Sequence, residues 1–144
     1  MWETIAAGAE AESSLWRSAL RPAGERELEP VFSPLAAERY AVGLETIYEG
    51  YLVHYGRPRI FRELAPDEAL LLGDYLYAHG LVRVASLGEV AVVAALAELI
   101  ARCAHLRAEL RPGDGMAWAE TVQSFPGGGA DVARALAAHA RRVG

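Results

Sequence analysis

The residues from Leu44 to Ala78, LETIYEGYLVHYGRPRIFRELAPDEALLLGDYLYA, decide the fold of this chain. Before Gly56, apolar and aromatic residues recur at steps of three and four, which predicts an amphipathic helix that ends in a Gly-Pro loop. After the loop, Pro66-Asp67-Glu68 is typical of a helix start, because acidic side chains favour the positive end of the helix dipole. The stretch therefore predicts two consecutive helices.

Two glycines, Gly43 and Gly50, lie seven residues apart in the first of these helices. Glycine inside a helix costs about 1 kcal/mol relative to alanine. The close approach of another helix backbone would explain both positions, because a side chain there would keep the two backbones apart. We therefore predict a closely packed neighbouring helix on this face.

The second helix, from Ala69 to Leu87, is apolar around most of its circumference, and it includes three consecutive leucines, Leu70 to Leu72. A helix of this kind is buried on most sides. A domain of 144 residues is too small to cover it alone, so the sequence predicts a partner chain.

Composition and periodicity together indicate an all-α protein, a single helical-bundle domain over residues 1–144. The chain is 53% hydrophobic and 23% charged, enough for one compact core. We expect a core over residues 35–110 and a C-terminal tail, 126–144, that is loosely docked behind a glycine hinge. The predicted helices are Met1–Leu20, Pro34–Tyr55, Pro66–Leu87, Glu89–Leu110, Met116–Gln123 and Asp131–Arg142.

Charge and cysteine content exclude several classes of function. The net charge is -5 and all 14 basic residues are arginine, which argues against nucleic acid as a partner. Cys103 is the only cysteine, so no internal disulfide can form. The most apolar span, Val84–Ile100, is interrupted by Glu89 and Glu98, so we expect no membrane span and a cytoplasmic protein.

The Leu44–Ala78 stretch resembles the trans-type polyprenyl diphosphate synthases. In that family an aspartate-rich motif (DDxxD) ends a helix, an RRGxP loop follows, and the next helix carries LLGDxLxA. When Gly56-Arg57-Pro58 is aligned with the loop, the aspartate motif falls on Glu45–Glu49 and the Gly-Asp pair on Gly73-Asp74, without a gap. The resemblance covers about residues 35–110, and it implies a truncated isoprenoid-synthase fold.

The family's reaction uses about three Mg²⁺ ions, held by carboxylates on two facing aspartate motifs. Here the first motif is reduced to Glu45 and Glu49, and the second is missing. We interpret the two glutamates as a degenerate remnant in a solvated acidic stripe, with weak Mg²⁺ binding as the alternative. Arg57 is the expected remnant of the phosphate-binding loop, and Arg57 and Arg59 are interpreted as loop charges. We expect no catalytic residue, metal or cofactor on this chain alone.

The resemblance implies a non-catalytic small subunit of a heteromeric hexaprenyl or heptaprenyl diphosphate synthase. Such a subunit would stabilise the Mg²⁺-binding large subunit and shape its product-length tunnel during synthesis of isoprenoid quinone side chains such as that of menaquinone. In the family, the Gly-Asp helix and the following helix build the dimer interface. The expected interface residues are Leu72, Tyr75, Leu76, His79, Val82 and Arg83. The tunnel candidates, which would contact a prenyl chain, are Tyr48, Tyr51 and Tyr77.

Two alternatives remain open. One is a stand-alone homodimeric helical binding module without transferase activity, on the same scaffold. The other is a minimal Mg²⁺-dependent enzyme that uses Glu45 and Glu49. The synthase subunit and the homodimeric module are both expected to be inactive as isolated chains. The minimal enzyme is expected to turn over isoprenyl diphosphates by itself and to lose that activity in Glu49→Gln.

Overall fold

The structure is a computed structural model that describes all residues from 1 to 144. It contains seven α-helices and no β-strand, so the predicted all-α class is confirmed. The helices are α1 (Trp2–Glu12), α2 (Ser14–Ala19), α3 (Ala41–Tyr55), α4 (Pro66–Ala85), α5 (Val90–Ala108), α6 (Asp114–Gln123) and α7 (Val132–Val143). None of them combines the length and the apolarity that crossing a lipid bilayer requires.

Four predicted helices match the structure to within two residues at each end, and two differ by more. The N-terminal helix divides at Ser13, whose side chain accepts a hydrogen bond from the backbone N–H of Leu15 and caps α2. The helix predicted from Pro34 begins only at Ala41, because residues 33–40 form two short 3₁₀ turns. These turns bring the connector before α3 back across that helix.

Helices α3 and α4 pack antiparallel through four glycines. Gly43 lies opposite Gly80, and Gly50 lies opposite Gly73. A Cβ atom on Gly80 would lie 3.0 Å from the carbonyl oxygen of Gly43, and one on Gly50 would lie 3.0 Å from that of Gly73. The predicted close approach at Gly43 and Gly50 is confirmed, and the seven-residue spacing recurs on both helices.

The apolar side chains form two clusters on the two sides of this helix pair. The larger cluster joins α3 to α5, α6 and α7 around Trp118, Tyr48 and Tyr51. The smaller cluster joins α1 and α2 to α4 and to the loop residues Ile60 and Phe61. Helix α3 therefore lies at the centre of the fold.

The C-terminal helix α7, which the sequence predicted to be loosely docked, packs against the larger cluster. Ala135, Ala138 and His139 are buried against the larger cluster. Arg142 Nη2 lies 2.6 Å from Glu27 Oε2, and its carbonyl oxygen accepts a hydrogen bond from the backbone N–H of Arg57. Polar contacts on both flanks thus hold a helix whose sequence is mostly alanine and arginine.

Candidate functional site

Arg59, in the loop between α3 and α4, is the centre of a buried ion cluster. Its side chain is 0% exposed, as are those of Glu45 and Glu49, one turn apart on α3. Arg59 Nη1 lies 2.6 Å from Glu45 Oε2, and Nε lies 2.9 Å from Glu49 Oε2. A buried ion pair is tolerated when its geometry is good and its other polar atoms are satisfied.

Glu45 also fixes the connector that precedes α3. Its Oε1 accepts hydrogen bonds from the backbone N–H groups of Val31 and Ser33, at 3.1 and 3.2 Å. The connector also contacts the arginine directly, because the carbonyl oxygen of Glu29 accepts a hydrogen bond from Arg59 Nη1 at 2.8 Å. The cluster therefore holds a segment that has no regular helix of its own.

Glu49 fixes the loop that follows α3 in the same way. Its Oε1 accepts hydrogen bonds from the backbone N–H groups of Arg59 and Ile60, at 2.7 and 3.0 Å. With these contacts all four carboxylate oxygens of the glutamate pair have a donor in the chain. The cluster joins the connector, α3 and the loop into one unit.

The surroundings favour the charge on Arg59. Burial opposes it, but the carboxylates of Glu45 and Glu49 outweigh burial and raise the pKa of the guanidinium above its usual range. The guanidinium also lies over the aromatic rings of Trp2 and Tyr48, at 4.7 and 5.0 Å from their centroids. Cation–π contacts of this kind stabilise a cation that has lost its water.

The glutamate pair does not fit a magnesium ion. Magnesium needs free oxygen ligands in octahedral geometry. Here the oxygens face a guanidinium and backbone N–H groups, and a divalent cation would lie beside a buried positive charge. The interpretation of Glu45 and Glu49 as a solvated stripe is wrong, because both are buried, and the interpretation of Arg59 as a loop charge is wrong for the same reason.

A second polar cluster lies at the start of α6, around Asp114. Asp114 Oδ2 accepts hydrogen bonds from the hydroxyl of Tyr51, from Arg107 Nη2 at 2.7 Å, and from His139 Nε2 at 3.2 Å. His139 Nδ1 lies 2.8 Å from the hydroxyl oxygen of Tyr48. The cluster therefore links α3, α5, α6 and α7.

Hydrogen bonding decides the protonation states in this cluster. The bond from His139, with those from Tyr51 and Arg107, outweighs burial and holds the pKa of the Asp114 carboxyl well below its usual range. When His139 donates from Nε2 to Asp114, its Nδ1 is free to accept the proton of the Tyr48 hydroxyl. Burial raises the pKa of Tyr48 far above its usual value, so this hydroxyl stays protonated and can donate to His139.

The three tunnel candidates lie inside this chain. Tyr48 and Tyr51 are each 1% exposed within the larger apolar cluster, and the Tyr77 ring packs 5.1 Å from that of His54. The surface has four cavities, and none of the three tyrosines lines any of them. The structure therefore does not place them on the wall of a tunnel in this chain.

Most of the expected interface residues are covered by the N-terminal helices of the same chain. Leu72 and Leu76 are buried in the smaller cluster. Tyr75 stacks on Trp16 and donates a hydrogen bond to a backbone carbonyl of α1. His79 and Arg83 also face α1. Of the six predicted residues only Val82, at 64%, is fully exposed, whereas Tyr75, His79 and Arg83 are half-buried.

Arg57 is exposed, and its Nη2 donates to the carbonyl oxygen of Arg141 at 2.5 Å, so it ties the loop to α7. Sequence reasoning missed the roles of Arg59, Asp114 and His139. The one local signal that Arg59 is buried was the apolar pair Ile60 and Phe61, which follows it directly in the sequence.

No protein-family model, curated protein or solved structure matches this chain.

Proposed function

We propose that this chain is the non-catalytic subunit of a heteromeric polyprenyl diphosphate synthase, and that the Mg²⁺-dependent chemistry belongs to its full-length partner. The observation that carries the proposal is the Arg59 cluster. Glu45 and Glu49 occupy the register in which the resemblance expects metal-binding acids, and a buried arginine neutralises both. A chain with this arrangement keeps the helix pair and has given up its metal ligands.

The second support is an open apolar face on α4 and α5. Exposed residues recur at helical spacing along one side of each helix, and the two helices pack against each other. Asp67 and Asp74 are the charged residues on the α4 side of this face. We call it the α4–α5 face; its apolar members are Leu71, Ala78, Val82 and Ala85 on α4, and Val90, Ala94, Ala97, Ala101 and Ala104 on α5.

The dimensions of the α4–α5 face suit a protein partner. A helix the length of α5 extends about 28 Å, and two adjacent helices present a width of about 20 Å. Such a face buries on the order of 1,100 Å² when both partners are counted, just above the size of about 1,000 Å² that a specific interface needs. Small side chains allow the partner's helices to approach closely.

In this proposal the subunit acts on product length indirectly. Its tyrosines are enclosed in its own core, so they do not form the floor of a tunnel. Docking on the α4–α5 face would instead support the helices of the catalytic chain that enclose the growing prenyl chain. The product class, a polyprenyl diphosphate for a quinone side chain, follows from the resemblance.

Co-expression with the full-length synthase from the same genome tests the proposal. We expect a complex on size-exclusion chromatography and prenyl transfer that needs both chains. Val82→Glu and Ala97→Glu should abolish the complex, because each buries a charge in the interface. Leu28→Glu, at an exposed apolar position away from this face, should leave it intact.

Circular dichroism and thermal unfolding must show that the variants keep their fold. A stable homodimer that ignores the synthase would overturn the proposal. So would a complex that survives both substitutions on the α4–α5 face, or full synthase activity without this chain.

A further inference from the structure

A cavity of about 220 Å³ lies where α1, the start of α3 and the end of α4 meet. Its wall includes Thr4 of α1, Arg39 and Gly43 at the start of α3, and Arg83 and Ser86 at the end of α4. The charged residues of the wall are the two arginines, and no carboxylate lines it. This concentration of positive charge stands out in a chain whose net charge is -5.

Arg83 has hydrogen-bonding capacity that the protein leaves unused. Its Nε is buried and has no acceptor within the chain. Its Nη2 makes one bond, of 3.3 Å, to the carbonyl oxygen of Thr4. A buried donor without an acceptor is costly, and most such groups in proteins are satisfied. Because Arg83 lines the cavity, a ligand there can accept hydrogen bonds from its exposed terminal N–H groups, whereas the buried Nε becomes accessible only if neighbouring side chains move.

Arg39 is partly neutralised at the rim of the cavity. Its Nε lies 3.3 Å from Glu89 Oε2 and its Nη2 lies 3.4 Å from Glu89 Oε1, while Nη2 also donates to the hydroxyl of Tyr40 at 2.7 Å. Glu89 itself is not part of the cavity wall. Arg39 therefore contributes positive charge to the site, and Glu89 limits how much.

We propose that this cavity binds a small oxyanion, either inorganic phosphate or the phosphate end of a small molecule. Two adjacent N–H groups of a guanidinium match two oxygens of such an anion, and this geometry is the reason that arginine is common in phosphate sites. Arg83 is the principal ligand and Arg39 the second. The volume equals that of about seven water molecules at about 30 Å³ each, so a phosphate of five heavy atoms fits with solvent.

The site is separate from the proposed subunit role and from the Arg59 cluster, with which it shares no residue. A bound anion would contact α1 through Thr4, the 3₁₀ turn before α3 through Arg39, and α4 through Arg83. It would therefore hold the N-terminal helix on the rest of the fold, and binding would raise the unfolding temperature by an amount that grows with the logarithm of ligand concentration over Kd.

Calorimetric titration of the whole chain with sodium phosphate tests the site, with sodium chloride at matched ionic strength and pH as the reference. We expect saturable binding of phosphate that chloride does not reproduce. Arg83→Gln should weaken it at least about tenfold, and Arg83→Lys, which keeps the charge but loses the planar fork, should lie between the two. Glu89→Gln should strengthen binding, because it releases Arg39.

Arg102→Gln is the matched control, because Arg102 pairs only with Glu120 on the surface of α5 and α6. It should leave phosphate binding unchanged. A parallel titration with glycerol phosphate distinguishes free phosphate from a phosphate end group, by which of the two binds more tightly. The proposal is overturned if chloride acts as phosphate does, if Arg102→Gln weakens binding as much as a folded Arg83→Gln, or if no saturable binding occurs.

Discussion

The two polar clusters on α3 differ in their access to water. Around Arg59 both glutamates and the arginine are 0% exposed, and every carboxylate oxygen has a donor in the chain. Around Asp114 the carboxylate is 16% and Arg107 30% exposed, and the partners include a histidine and two tyrosines. The first cluster is sealed, whereas the second is open at one edge.

This difference decides what each cluster contributes. A sealed cluster cannot replace a lost partner with water, so its members stabilise the fold only as a complete set. An open cluster can recruit solvent when one contact is lost, and its acid exchanges protons with the solution. The Arg59 cluster therefore acts as a structural core, and the Asp114 cluster is the one that responds to conditions.

The largest expected effect comes from opening the sealed cluster with Arg59→Met. We expect the free energy of unfolding to fall by about 3–5 kcal/mol, because two carboxylates remain buried without a cation. Urea denaturation followed by tryptophan fluorescence measures the loss. Arg59→Lys keeps the charge but loses several hydrogen bonds, so its loss should be smaller.

The triple variant Glu45→Gln/Glu49→Gln/Arg59→Met is the control for that prediction. It removes the buried charges but keeps side-chain oxygens that can accept the backbone hydrogen bonds. It should recover a substantial part of the stability that Arg59→Met loses. A loss of about 0.5 kcal/mol or less in the single variant, the value typical of a surface position, would show that the cluster is not sealed.

Asp114→Asn should have an intermediate effect, about 1–3 kcal/mol in the free energy of unfolding. The amide keeps one acceptor but loses the charge that Arg107 and His139 face, and Arg107 can turn to water. Asp131→Asn is the matched control, because either side chain can cap α7 and little change is expected. If Asp114→Asn costs as much as Arg59→Met, the distinction between the two clusters fails.

The pH dependence of stability separates the clusters further. The pKa of Asp114 is lowered in the folded chain. The ionised carboxylate therefore contributes fully to folding stability above the pKa that it has in the unfolded chain, about 3.9, and this contribution is lost progressively as the pH falls below that value. We expect the stability difference between the wild type and Asp114→Asn to shrink between about pH 4 and pH 2. Chemical denaturation at a series of pH values measures it, and a difference that stays constant would contradict the assignment.

The smallest effect is expected at a fully solvated pair. Arg102 and Glu120 approach to 3.8 Å, and both side chains are more than half exposed. Arg102→Gln should change the free energy of unfolding by no more than about 0.5 kcal/mol. This value sets the surface baseline for the two clusters, and a larger loss would mean that charge alone, without burial, stabilises this fold.

Local patterns predicted the helices well because a helix is indicated by apolar residues that recur at steps of three and four along the chain. The close approach of another helix was foreseen from Gly43 and Gly50, since a helical glycine needs a packing reason, but their pairing with Gly80 and Gly73 was not. Two misreadings, at Glu45 and Glu49, arose because an acidic stripe looks the same in sequence whether it faces water or an arginine. The covering of Leu72 and Leu76 by α1 was missed because α1 is distant in the chain and weakly patterned.

The sequence by itself determined the all-α class, the turn at Gly56 to Pro58 and the close approach of some helix to Gly43 and Gly50, because these are signalled by residues within a few helical turns, whereas the structure identified that helix as α4. The tertiary structure alone decided that Arg59 neutralises Glu45 and Glu49, and that α7 reaches Asp114 through His139. Those contacts join residues brought together only when the chain folds, and burial, which gives them their strength, is a property of the whole molecule.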